Sequence, residues 1–285
     1  VIIDATKGAG SLELADLIIN GQSNKEIFFS TYVCHPSMAN NELSGPVLAS
    51  ALIQYIKTEY PNPQHTYRFV FAPETIGSII YLSEHIQLLK ENVICGFNLS
   101  CVGDERAYSY IESRMGNTLA DSALHAAMID LDNVKKYSFL DRGSDERQYC
   151  APGVDLPFCG FCRTKYEEFP EYHTSADNFD VVTSEGLEGS FNVMKSIIDA
   201  FEMKLYPKIV VKCEPQLGKR GLRPTISQKG HNDNANMRAD FIAYSDGKHS
   251  LFDISIKIKR KLSKVISEAL ILKQNNLITL DDNFR

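Results

Sequence analysis

Apolar runs alternate with amphipathic stretches along the first 200 residues of the chain. Short runs rich in β-branched and aromatic residues predict strands, and longer stretches with apolar positions three or four residues apart predict helices. Strands are predicted for residues 12–21, 26–33, 67–71, 93–99, 137–140 and 156–162. Helices are predicted for residues 46–60, 77–89, 117–129, 145–150 and 184–201. This alternation indicates an α/β domain with a largely parallel sheet.

The pattern changes after residue 201. A strand predicted at 207–212 is followed by a polar stretch at 227–236, which we interpret as a linker or exposed loop. Three short helices and a closing strand are then predicted for residues 237–244, 250–258, 262–274 and 275–280. Their order indicates a helix-turn-helix or winged-helix module. The domains expected from these patterns are an α/β domain over 1–205, a strand and linker over 206–236 and a winged-helix module over 237–285.

Composition is that of an ordinary globular protein. Hydrophobic residues make up 44% of the 285 residues and charged residues 23%. A net charge of -6 gives no general attraction to nucleic acid or to an anionic membrane. No apolar run approaches the ~20 residues that a membrane span needs, so we expect no membrane partner. Because the first residue is Val1 and not methionine, we expect that an upstream segment is missing.

Seven cysteines are scattered along the chain. An odd number in mostly apolar surroundings favours reduced, buried thiols and a cytoplasmic protein over a disulfide framework. Cys159 and Cys162 have the spacing of a redox or zinc-binding pair. The interpretation that we favour is two small apolar residues on a strand.

A histidine and a glutamate each follow a predicted strand. His35 comes after the strand at 26–33, in an oxygen-rich loop that leads into a helix. This is where open α/β sheets build ligand sites, and neutral imidazole binds zinc, although a histidine here can also be an ordinary loop residue. Glu74 follows the strand at 67–71 and is a candidate general base in metal-assisted hydrolysis. Its alternative role is a carboxylate that interacts favourably with a helix N-terminus.

Two further polar segments carry candidate chemistry. Asp145, Glu146 and Arg147 stand at a predicted helix start, where capping is the simpler role for Asp145. His173 lies in a polar loop next to Tyr172, among acceptors that could orient its ring. Arginine side chains near strand or helix ends are candidates to hold a substrate carboxylate or phosphate, with surface solvation as the alternative: Arg106, Arg147 and Arg163.

Taken together, these segments resemble the zinc aminopeptidase-like fold. In particular, the chain is similar to the uncharacterised family that joins such a domain to a C-terminal winged helix. The segments that carry the resemblance are CHPSMAN (34–40), APETIG (72–77), SDERQY (144–149), EYHTSAD (171–177) and EPQLGKRG (214–221). The resemblance implies a three-layer α/β sandwich with a mixed, mostly parallel sheet, followed by a small winged-helix domain.

The resemblance also implies roles for single residues. His35 and His173 match the two zinc-binding histidines of active aminopeptidases, and Glu74 matches their general base. Three positions at which those enzymes carry anionic zinc ligands are neutral in this chain: Asn41, Thr75 and Ser100. Two dications would lack compensating charge there, so we expect one zinc ion.

The expected ligands of that ion are His35, His173 and an oxygen of Glu42 or Asn41. A second set of residues is expected to contact the substrate or to support the ligands: Asn41, Asp145, Glu146, Arg147 and Tyr172.

The function expected from this resemblance is that of a zinc-dependent hydrolase acting on an amide or peptide-like small molecule. Two alternatives stay open: a ligand-binding protein that no longer hydrolyses, and a ligand-sensing regulator that binds DNA. A basic cluster favours DNA binding, at Lys257, Lys259, Arg260, Lys261 and Lys264. The predicted third helix is mostly apolar, however, so protein contacts or self-association through the winged helix are the favoured interpretation.

Overall fold

Two β-sheets organise the chain over residues 8–222, 233–282 and 284, which the computed structural model describes. The strands are β1 Ala15–Ile19, β2 Ser23–Tyr32, β3 His65–Ala72, β4 Val93–Leu99, β5 Tyr108–Ile111, β6 Val134–Tyr137, β7 Phe158–Cys162, β8 Tyr206–Ile209 and β9 Ile278–Asp281. The α-helices are α1 Ser44–Glu59, α2 Ile76–Asn92, α3 Leu119–Met128, α4 Glu146–Tyr149, α5 Ser184–Glu202, α6 Asp233–Ala243, α7 Leu251–Ile258 and α8 Leu262–Gln274. A π-helical turn, Ala39–Leu43, leads directly into α1.

The larger sheet has seven strands in the order β1-β3-β2-β4-β7-β5-β6. Strand β2 is parallel to both β3 and β4, and β4 is parallel to β7. The pairs β1–β3 and β5–β7 are antiparallel, so the sheet is mixed but mostly parallel. The carboxyl ends of four adjacent strands therefore meet at one edge, where open α/β sheets place their ligand sites.

Helices cover both faces of this sheet. Along β2, Ile27 and Phe29 belong to the core under α1, α3 and α5, whereas Phe28 belongs to the core under α2 and α4. This alternation follows from the two-residue period of a strand. The result is the three-layer α/β sandwich that the resemblance implies.

A buried ion pair lies on the α2 face. The guanidinium of Arg68 donates to both carboxylate oxygens of Glu26 at 2.6 and 3.0 Å, and to the Tyr81 hydroxyl at 2.7 Å. A bidentate pair with a further acceptor satisfies charges that would otherwise be costly to bury.

The C-terminal helices pack against the sandwich. Helix α7 contacts α3, and α8 contacts α5 and α3. The Phe252 ring of α7 meets the Phe201 ring of α5 edge-on, with ring centroids 5.5 Å apart. Strands β8 and β9 pair antiparallel beside these helices and complete the winged helix. One face of α8, the third helix of this module, thus packs on the α/β domain.

Most elements lie where the sequence predicts them, with three exceptions. The strand predicted at 137–140 is wrong, because β6 ends at Tyr137 and a 3₁₀ turn follows at Phe139–Asp141. Strand β5 was not predicted. The predicted linker at 227–236 overlaps α6, which begins at Asp233, and its residues 227–232 lie outside the described part of the chain. Across the described residues, no helix has the length and apolar character needed to cross a bilayer.

Candidate metal centre

The candidate site lies at the carboxyl edge of the large sheet. Residues Tyr32 and Ala72 are register partners at the ends of β2 and β3. The Val33 amide donates to the Ala72 carbonyl at 3.0 Å, so the two chains leave the sheet side by side. This pairing brings the segment that carries Cys34 and His35 next to the segment that carries Glu74.

Glu42 holds the His35 ring. One Glu42 oxygen lies 3.1 Å from His35 Nδ1, and the other accepts a hydrogen bond from the Cys34 amide. Because a carboxylate only accepts, the proton belongs on Nδ1, and Nε2 is left with a free lone pair. Burial raises the pKa of Glu42, and hydrogen bonds from the Cys34 and His35 amides oppose this shift. Both Glu42 oxygens are engaged in this arrangement; its predicted role as a zinc ligand stays a prediction.

The structure brings the second histidine to the first. The ring centroids of His35 and His173 are 5.0 Å apart. The His173 ring stacks on the Tyr172 ring, with ring centroids 4.0 Å apart and an angle of 14° between the ring planes. In the same loop, Asp177 accepts hydrogen bonds from the amides of Asn40 and Asn41 at 2.6 and 2.9 Å. Asp177 thereby ties the His173 loop to the π-helical turn, a link that the sequence reasoning missed.

Glu74 sits in a sharp turn that Asp145 stabilises. Thr75 has φ 65°, a conformation that is unfavourable for a β-branched residue and is found mainly where surrounding structure holds it. Asp145 Oδ1 accepts from the Thr75 amide at 2.7 Å and from the Ser78 hydroxyl at 2.8 Å. Burial raises the pKa of Asp145 to about 7. The expected capping role is wrong, since the Asp145 side chain makes no cap hydrogen bond to α4.

Cys34 also belongs to this group, although the sequence reasoning did not include it. Its Sγ lies 3.1 Å from His35 Nδ1 and accepts the Glu74 amide at 3.3 Å. Within the described residues, one group of three candidate ligands has all its donor atoms within 4.8 Å of one another, and it consists of Cys34, His35 and Glu74. Burial raises the pKa of the Cys34 thiol to about 11. The sequence did carry a signal for this role, because Cys34 directly precedes His35 just after a predicted strand.

Asn41 contributes an unpartnered oxygen. Its Nδ2 donates to the Tyr32 hydroxyl at 3.0 Å, but its Oδ1 is buried and has no hydrogen-bond partner among the residues that the structure describes. Buried polar atoms are nearly always satisfied. The orphaned Oδ1 is therefore a candidate to bind a metal ion or water.

Of the remaining predicted site residues, Glu146 is fully buried. Its Oε1 accepts from the amides of Gly143 and Ser144 and from the Tyr166 hydroxyl, and its Oε2 accepts from Asn98. This arrangement makes Glu146 a structural anchor for the loop before α4. Its predicted contact with substrate stays a prediction.

The arginines differ in their surroundings. Arg147 donates to the Thr75 hydroxyl at 2.7 Å, and its Nε is buried without a partner in the described part of the chain. Arg106 is engaged by Glu171 through two hydrogen bonds of 2.8 Å. Arg163 donates to the carbonyls of Ala107 and Gly186. Arg147 is thus the one that adjoins the turn carrying Glu74.

The Cys159–Cys162 pair lies within β7, and both residues are fully buried. Their thiols fill the core, as the favoured interpretation expects.

The fold and the residues gathered at its edge define an aminopeptidase-like α/β protein with a C-terminal winged helix. The zinc aminopeptidase BSAP from Bacillus subtilis shares this fold at 19% identity and a TM-score of 0.54, over 65% of this chain and 48% of that structure. At that identity the likeness concerns the fold alone.

Residues 5–204 match the family described as Domain of unknown function (DUF4910), and the chain belongs to this family. Residues 204–280 match a winged helix-turn-helix model. A "putative polysaccharide biosynthesis protein with aminopeptidase-like domain" from Clostridium acetobutylicum is 36% identical over 98% of this chain. The crystal structure of a "putative peptidase" from the same organism superposes with a TM-score of 0.82 at 33% identity, over 94% of this chain and 60% of that one. The chain spans 64% of the length of the first relative.

Proposed function

We propose that this protein is a single-zinc hydrolase of the aminopeptidase type, acting on an amide or peptide-like small molecule. The observation that carries the proposal is the pairing of His35 and His173, whose ring centroids lie 5.0 Å apart, together with a Glu74 carboxylate oxygen within 4.8 Å of a His35 ring nitrogen. Two imidazoles and a nearby carboxylate form the usual core of a catalytic zinc site.

The residues present fit one zinc ion better than two. Asn41, Thr75 and Ser100 are neutral, so a pair of dications would lack compensating charge. His35 and His173 would hold the ion, and the orphaned Asn41 Oδ1 offers a neutral oxygen. Zinc bound there would act as a Lewis acid toward the scissile carbonyl.

The proton is moved by Glu74 in this proposal. Its carboxylate accepts a proton from the attacking water and delivers it to the leaving amine. Glu42 keeps the proton of His35 on Nδ1 and fixes the orientation of the ring. Asp145 fixes the turn at Thr75 from which Glu74 projects.

Arg147 supports a substrate with an acidic group. Its guanidinium donates to the Thr75 hydroxyl through one nitrogen, and its buried Nε has no hydrogen-bond partner among the described residues. A guanidinium that is half-buried beside a site favours a carboxylate or phosphate on the ligand. We therefore propose that the substrate carries such a group.

The test is metal content combined with Glu74→Gln. Purified full-length protein is expected to contain about one zinc per chain by elemental analysis. Glu74→Gln should keep its fold and its zinc but lose turnover of chromogenic amides by roughly 10²–10⁴-fold, the usual contribution of a general base. Unchanged turnover in this variant, or protein that takes up no zinc, would reject the proposal.

A second candidate is a ligand-binding protein that does not hydrolyse. The three neutral residues at ligand positions favour it, and the relative's name points to sugar chemistry. Titration calorimetry with sugars and amino sugars separates the two functions. Saturable binding without release of product supports the second candidate.

The winged helix is proposed as a surface for protein contact or self-association. Support comes from α8, whose Val265, Ala269 and Leu272 are buried in the core shared with the α/β domain while the apolar Leu270 is exposed. Retention of the protein on DNA at physiological salt would contradict this assignment.

We also propose a cytoplasmic location. All seven cysteines are free thiols, which suits a reducing compartment. Fractionation of cells that express the full-length protein tests this.

A further inference from the structure

We infer that Cys34 is a thiolate ligand of the proposed zinc ion and supplies negative charge that the neutral residues at the other ligand positions do not. The inference rests on the proposed single-zinc site and adds a ligand to it. The site would then be held by Cys34, His35 and His173, with Glu74 left as the base and one coordination position open to substrate.

Geometry is the first argument. One donor atom from each of Cys34, His35 and Glu74 lies within 4.8 Å of the others. Two donors on a tetrahedral zinc ion are about 3.5 Å apart, given zinc–sulfur and zinc–nitrogen bonds of about 2.3 and 2.1 Å. The Cys34 and His35 donors thus lie at a separation that side-chain rotation can adjust to one ion, and the His173 ring, with its centroid 5.0 Å from that of His35, adjoins them.

Charge is the second argument. Glu42 stands where it could have supplied an anionic ligand, but one of its oxygens accepts the Cys34 amide and the other contacts His35. A zinc ion held by two neutral imidazoles and the Asn41 amide alone would be poorly compensated. One thiolate halves the excess charge and leaves the Glu74 carboxylate free for proton transfer.

The placement of the sulfur is the third argument. Two hydrogen bonds fix the backbone at Cys34. The Val33 amide donates to the Ala72 carbonyl, and the Cys34 amide donates to a carboxylate oxygen of Glu42. The Glu74 amide donates to Sγ at 3.3 Å, which holds the sulfur beside the turn that carries Glu74. The thiol is thus oriented by three hydrogen bonds in its immediate vicinity.

Cobalt spectroscopy tests the inference without any measurement of activity. Metal-free full-length protein is titrated with Co²⁺, and a thiolate ligand is expected to give a near-ultraviolet sulfur-to-cobalt charge-transfer band that saturates at one ion per chain. Cys34→Ser should lose this band and bind zinc at least about tenfold more weakly. The matched control is Cys213→Ser, which changes an exposed cysteine elsewhere in the chain and should keep the band.

A second measurement uses the unmodified protein. Bound zinc should protect Cys34 from iodoacetamide while Cys213 stays reactive, as read by mass spectrometry of the two peptides. One equivalent of Co²⁺ bound without the band, or a band that persists in Cys34→Ser, overturns the role of Cys34 and leaves the single-zinc proposal standing. Failure to bind any metal overturns both.

Discussion

At the scale of single residues, Asp145 shows how a buried carboxylate can serve a neighbouring element. Its side chain is 1% exposed and accepts hydrogen bonds from Thr75 and Ser78, at the start of α2. Burial raises its pKa from 3.8 to about 7 in the folded protein, which makes Asp145 a source of pH-dependent stability.

We predict that Asp145→Asn changes how stability depends on pH. Between pH 4 and 7 the folded state keeps the proton on Asp145 longer than the unfolded state does, so this group's contribution to stability declines as pH rises through about 7. Asparagine carries no such proton. The stability of the variant relative to the unmodified protein should therefore increase from pH 4 to pH 8.

Urea unfolding of the metal-free proteins at several pH values measures this difference. The control is Asp132→Asn, at an exposed carboxylate. A difference that does not vary with pH for Asp145→Asn would contradict the prediction.

At the scale of elements, the close approach of α2 to the end of β3 positions Glu74. Gly77 stands in the first turn of α2, and a Cβ placed there would lie 2.7 Å from Ala72 Cβ and 2.9 Å from Pro73 Cδ. Helix propensity alone would favour alanine at this position by about 1 kcal/mol. The steric clash opposes this gain.

We predict that in Gly77→Ala the cost of the steric clash exceeds the gain from the higher helix propensity of alanine. Overpacking costs about 1–3 kcal/mol, and relief of the clash requires the turn at Thr75 to move. The free energy of unfolding should fall by about 1–2 kcal/mol, and amide turnover should fall with it. The control is Gly218→Ala, where the added Cβ meets no atom closer than 3.7 Å and stability should change by less than about 0.5 kcal/mol.

Helices and strands were predicted correctly where the sequence pattern that defines them is local. Strand β4 and helix α8 have the bounds that their sequence patterns predict, because apolar periodicity and flanking turn residues define both. Strand β5 is four residues long, and nothing in its own sequence shows that β6 and β7 are its partners. The π-helical turn at Ala39–Leu43 has no sequence signature of its own.

At the scale of the whole molecule, the winged helix is an integral part of the packed structure. Phe252 of α7 is fully buried and contacts Phe201 of α5. Lys261, just before α8, forms an ion pair of 3.0 Å with Asp130, which follows α3. Apolar burial and an exposed charge pair thus join the same two units.

We predict that these two contacts contribute very different amounts to the free energy of unfolding. Phe252→Ala should lower the free energy of unfolding by about 3–5 kcal/mol, because it opens a cavity in the shared core. Lys261→Ala should change it by no more than about 1 kcal/mol, since the ion pair is exposed and screened. Denaturant titration of both variants measures the contrast; equal effects would show that the interface does not depend on apolar burial.

The sequence by itself determined the alternation of strands and helices, the change of pattern after residue 201 and the positions of His35 and Glu74 just beyond their strands. These properties are local, because they depend on periodicity and on neighbours along the chain. Only the tertiary structure decided which strands pair. The pairing of β2 with β3 and of β4 with β7 brings the segments that carry Cys34, Glu74 and His173 to one edge. It sets Cys34 beside Glu74, engages both oxygens of Glu42 and leaves Asn41 Oδ1 without a partner within residues 8–222, 233–282 and 284, because hydrogen bonding between distant segments depends on how they pack.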